Sequence, residues 1–302
     1  ELPLDPSGQA IEKMHVSPEG HDLQQLLAKF IGMAVFFSQG SDDYLDDDIA
    51  NKGLLSSNAQ SVKSGIAQPF SALGHAWDEA FGYFGAARDF NDYSDDEIAA
   101  KGGRDGWSSG YHDSNGDGSI DLKSEYNFGH SRNAAKRDRG SAEGAKTDFT
   151  KSIFDAFIAG RALILAAGDE LSATELNELK GYRNTIVSDW EAAIAATAVH
   201  YINAVLVDMG SFESDQYSFT NHAKHWSELK GFTLGLQFNP RSAMGDEQFA
   251  LFHTLIGQAP VLPGDDSAED YRANLLEARA LLAESYGFAE ANLGDQQGQG
   301  GW

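Results

Sequence analysis

Apolar residues recur every three or four positions along most of this chain, and no stretch sustains the alternation of β-branched residues that a sheet requires. That periodicity restricts the chain to helices packed on helices, so the expectation is an all-α protein. Helices are expected over 20–38, 44–67, 69–85, 121–137, 147–167, 172–209, 215–237, 246–257 and 267–286. Pro69 suits a first helical turn, and Ser172 with Glu175 forms a capping box. Residues 86–120, rich in Gly, Asp and Ser, read as a long loop with one short helical piece near Asp95–Ala100.

Two segments half a chain apart share an unusual spacing. His75-Ala-Trp77-Asp78-Glu79-Ala-Phe-Gly82-Tyr83 and His225-Trp226-Ser-Glu228-Leu-Lys-Gly231-Phe232 align as Trp-x-Glu-x-x-Gly-aromatic, each with a histidine just before the Trp. The chain therefore reads as two helical-bundle halves related by an internal pseudo-repeat. The Gly-bearing polar run 139–146 separates an N-terminal half, 1–145, from a C-terminal half, 146–302. His75 and Glu79 are four apart and His225 and Glu228 three apart, so each pair can share a helix face. Facing each other across the two halves, and joined by His200, they could hold a divalent or ferric ion; His–Glu hydrogen bonds at a bundle seam are the simpler alternative.

The long loop carries a second constellation, within 103–125. Asp113, Asn115, Asp117, Gly118, Ile120 and Asp121 follow the EF-hand calcium pattern, with oxygen donors at positions 1, 3, 5 and 9, glycine at 6 and an apolar anchor at 8, and Ser119 is counted among the expected calcium ligands. Position 12 departs from it. Ser124 stands there, and the acid comes one residue later as Glu125. The expected role of calcium is structural, ordering an insertion in the first half.

Composition narrows the function classes. The 46 acidic residues against 22 Lys and Arg give a net charge of −24, which repels nucleic acid and anionic membranes. The absence of cysteine removes thiol catalysis, disulfides and thiolate zinc sites, leaving any metal to O and N donors. No long apolar run is evident, so no membrane insertion is expected. The chain starts at Glu1, which fits a signal or lipoprotein leader removed or a trimmed chain. The Pro-bearing opening and the Gly-Gln-rich closing segment are both expected to be mobile.

At Gly74-His75-Ala-Trp77-Asp78-Glu79-Ala-Phe-Gly82-Tyr83-Phe-Gly85 the chain resembles the imelysin-like family. Its hallmark is Gly-x-His-x-x-Glu followed by an aromatic and Gly, on a helix where two helical-bundle halves meet. Here His75 matches the histidine, Asp78 stands where the acid is expected, and Glu79 follows. The glycine immediately precedes His75. The resemblance implies a periplasmic or outer-membrane-anchored protein of iron acquisition, taking a metal ion (iron or zinc) or small ligand and working with outer-membrane uptake components. Two alternatives stand beside it. One is a metallopeptidase with a His/carboxylate metal activating water; the other is a structural or surface-interaction protein binding only calcium.

Overall fold

The computed structural model describes residues 2–302. The first helix, α1 (Leu23–Lys29), is capped by Asp22, whose carboxylate accepts the N–H of Gln25. It runs on through wide π-helical turns at Phe30–Val35 and Gln39–Tyr44, on either side of α2 (Phe36–Ser38). An antiparallel hairpin follows, β1 (Gln60–Lys63) and β2 (Ile66–Ser71), paired as Lys63↔Ile66, Val62↔Ala67 and Gln60↔Ser71. Ser64 (φ 54°) and Gly65 (φ 77°) make the tip, both left-handed as a two-residue hairpin turn demands. The helix expected over 44–67 therefore does not form, and Pro69 lies in β2 rather than in a first helical turn.

The remaining elements are α3 (Ala72–Phe84), α4 (Asp95–Ile98), α5 (Gly129–Gly140), α6 (Phe149–Ala166), α7 (Ala173–Met209), α8 (Phe219–Thr233), α9 (Asp246–Leu255) and α10 (Ala268–Tyr286). The protein is thus mostly helical, with one small hairpin. Ser172 and Glu175 make the capping box at α7. The helix expected from 121 starts only at Gly129, because the Asp-rich segment before it bends back on itself through side-chain bonds to its own N–H groups.

Most other helices gather around α7, which packs on α5, α6, α8 and α10. By length and composition α7 could cross a membrane, contrary to the expectation of no long apolar run, but 67% of its most apolar window is buried inside this fold. One apolar core spans both sides of the 139–146 segment. In it Trp77 packs edge-on to Phe157, and Phe37 and Phe84 pack on Trp190.

The closing segment is packed into the fold, and beyond the polar opening the chain joins a small second core. Ile11 and Val16 pack with Phe219 and Ala223. Trp302 is buried and donates its indole N–H to the Arg137 carbonyl at 3.0 Å, while Asn203 donates to the Leu293 carbonyl at 2.9 Å. The polar composition of the closing segment does not leave it loose, because specific hydrogen bonds and a buried Trp hold it.

Candidate functional site

Helix α3 is fastened at both ends. Ser71 caps it by accepting the Gly74 N–H at 2.9 Å. Gly85 ends it with φ +82°, where an added Cβ would stand 2.5 Å from the Phe128 carbonyl oxygen. The segment 122–128 is tied to that end: Phe128 N–H donates to the Gly85 carbonyl (2.9 Å), Ala87 N–H to Asn127 Oδ1 (2.7 Å) and Arg88 N–H to the Ser124 carbonyl (2.7 Å). The loop thereby becomes a wall opposite α3.

Between the two lies a cleft of about 600 Å³. Phe36, Phe81, Tyr83, Tyr126 and Phe128 line it with aromatic surface, and His75, Asp78, Glu79 and Lys123 add its polar groups. His75 Nε2 and Glu79 Oε1 are 3.6 Å apart, both well exposed, and the imidazole stacks on Phe70 with ring centroids 5.0 Å apart. Asp78 points aside, accepting from Arg161 Nε at 2.7 Å. Tyr83 stacks on Tyr44 and meets Phe36 edge-on. The aromatic lining on the α3 side is thus packed on neighbouring rings while the His75–Glu79 pair stays accessible, an arrangement suited to binding. The sequence motif located the polar groups but not the aromatic wall from 122–128, whose contribution depends on the loop folding back.

The other three candidates gather elsewhere, around Tyr201. Its ring lies 4.9 Å from His200 and 6.4 Å from His225, and it stacks on Phe232. His225 Nδ1 pairs with Asp208 Oδ2 at 2.7 Å rather than with Glu228. Glu228 is buried, with Lys29 Nζ 3.2 Å from Oε1. Burial, then the Arg137 charge, pushes His200 down to about 4, so its imidazole is neutral at physiological pH. Burial and the Glu228 carboxylate push the Tyr201 hydroxyl up. The His75–Glu79 and His225–Glu228 segments thus serve different surroundings and do not join in one cleft. Among the described residues no three His, Asp or Glu side chains converge as a metal site.

The Asp-rich loop has its own order. Asp113 Oδ1 accepts the Gly116 N–H (2.7 Å) and Oδ2 that of Gly118 (2.8 Å); Asn115 Oδ1 accepts the Asp117 N–H and Asp117 Oδ1 that of Ser119. The Gly118 N–H, foremost among these donors, holds the Asp113 carboxyl below its usual range. Glu125 is buried and closes the loop, accepting from the Ser114 N–H and hydroxyl through Oε1 and from the Asp121 N–H through Oε2. The donor set is all oxygen, which suits calcium, but these side chains bind their own backbone here. At the loop's entry Arg104 pairs with Glu97 through Nε (2.7 Å) and Nη2 (2.9 Å) and lies over Trp107, on which His112 stacks. The Arg104 hydrogen bond pulls Glu97 down to about 2.

Fold and cleft define a mostly helical protein with an aromatic-walled cleft beside a long loop. A family model described as a domain of unknown function (DUF4856) matches residues 7–99, the segment that includes α1 and α3. No curated protein and no solved structure matches the chain.

Proposed function

We propose that the protein is an extracytoplasmic ligand-binding protein of the imelysin-like type that takes part in iron acquisition, capturing its ligand in the cleft on α3. The observation that carries this reading is the placement of His75, Asp78 and Glu79, the residues of the family-like motif, on one 600 Å³ aromatic-walled cleft. His75 and Glu79 offer one nitrogen and one carboxylate. A metal there keeps positions open for donors from its own ligand, so the cleft suits a small metal chelate better than a bare ion. Titration of metal-free protein with ferric citrate and with zinc is the test. Binding of either should weaken at least tenfold in His75→Ala and in Glu79→Gln and persist in Glu228→Gln. Equal binding in all three variants would overturn the reading.

Two finer features belong to it. The α3 and α8 segments are copies of one ancestral element; supporting this, Trp77 donates its indole N–H to the Phe157 carbonyl (2.9 Å) and Trp226 donates likewise to the Ile256 carbonyl (3.1 Å). Calcium orders the loop that forms the cleft wall, held by Asp113, Asn115, Asp117, Ser119 and Asp121 with Glu125 as the closing acid. It supplies charge neutralisation to a turn crowded with carboxylates.

A further inference from the structure

Cations are scarce in this chain, 22 Lys and Arg against 46 acids, yet three of them line one small pocket. Arg88, Lys123 and Arg161 border a cavity of about 370 Å³ next to the His75 cleft, which it meets at Asp78, Phe81 and Lys123. Its apolar lining includes Phe154 and Phe157, with Ile158 exposed at 52%.

The three cations are not equivalent. Arg161 is committed to Asp78 at 2.7 Å. Among the described residues neither the Arg88 guanidinium nor the Lys123 ammonium has a carboxylate within ion-pairing distance. Asp121, whose carboxyl feels both charges, uses its oxygens on the Lys123 N–H (2.9 Å) and the Ser124 hydroxyl (2.8 Å). The bond from the Arg88 N–H to the Ser124 carbonyl fixes the two backbones side by side. Two uncommitted cations at the edge of an apolar cavity complement a molecule with one anionic end and one apolar end.

We propose that this pocket is an anion subsite that takes a small organic carboxylate, its charged end between Arg88 and Lys123 and its apolar body against Phe154 and Phe157. The subsite shares Asp78, Phe81 and Lys123 with the His75 cleft, but the proposal does not require metal there and is read without added metal, so either can fail alone.

The probe is 4-phenylbutyrate, with 4-phenylbutylamine as the partner of like shape and opposite charge, each titrated calorimetrically into the full chain without added metal. The carboxylate should bind and the amine should not. Affinity for the carboxylate should drop at least tenfold in Arg88→Ala/Lys123→Ala and weaken as salt is raised, while Lys146→Ala, outside the pocket, binds as wild type. Ile158→Asp gives a second check, since a carboxylate at the mouth should repel the probe. Circular dichroism melts establish that the variants fold. Equal binding of acid and amine, unchanged affinity in the double variant, or no binding of the acid at millimolar concentration would each overturn the proposal.

Discussion

Gly160 of α6 leaves the space that the indole of Trp77 fills: a Cβ at position 160 would stand 2.1 Å from Trp77 Cζ2. The contact is rigid on both sides, because the same indole donates its N–H to the Phe157 carbonyl one turn earlier. Trp77 therefore locks α3, and with it the floor of both pockets, to α6. Gly160→Ala should cost about 1–3 kcal/mol through overpacking, although alanine favours helix. A denaturant midpoint unchanged or raised by the substitution would show that α3 can shift without loss.

The hydroxyl of Tyr271 accepts from the Trp226 indole (3.0 Å) and donates to the Ile256 carbonyl (2.9 Å), in a buried network. Removing it in Tyr271→Phe should destabilise the protein by about 1 kcal/mol, the net worth of such a bond, since Ile256 still receives the indole N–H. Chemical denaturation of the variant measures this directly.

Acid should act through Glu97. Its folded-state pKa, about 2, lies below the ordinary 4.5, so the Arg104 pairing adds stability above pH 4.5 that is lost as pH falls toward 2. Asp95 has the opposite sign: burial, then the Asp138 charge, raises it from 3.8 to about 6, so stability falls as pH rises from 3.8 to about 6 and the cost is fully developed above that. Urea midpoints across pH 2–8 should show Glu97→Gln losing less stability than wild type below pH 4.5, and Asp95→Asn gaining on wild type between pH 3.8 and 6 and keeping that lead above it.

The calcium reading predicts a rise in melting temperature on adding calcium to chelator-treated protein, and a smaller rise in Asp117→Ala. Magnesium, which demands a tighter octahedral shell, should be less effective. Identical melts with calcium and with chelator would remove the ion from the account.

Helix α7 was legible because its apolar periodicity is long and its start carries Ser172 and Glu175, two residues whose reciprocal bonds are local. The long loop was legible for a similar reason. The segment 44–67 was not. Its apolar spacing admits a helix, but Ser64 and Gly65 adopt the left-handed turn that joins β1 to β2, and Ser71, not Pro69, begins α3. Of the site, His75 and Glu79 could be named from spacing, since neighbours on one helix face are fixed by the 3.6-residue period, whereas Asp78 was named only by the family resemblance. Arg88 and Lys123 carried no motif, and their approach depends on hydrogen bonds between residues 85–88 and 124–128, far apart in sequence.

By itself, then, the sequence determined the helical class, the long loop and the sharing of a helix face by His75 and Glu79, because each depends on contacts within a few residues. Only the tertiary structure decided that His225 turns to Asp208, that Glu228 meets Lys29, and that Tyr126 and Phe128 wall the cleft. Those pairings join separate segments, and which segments meet is set by how the helices pack around α7, a property of the whole core rather than of any local pattern.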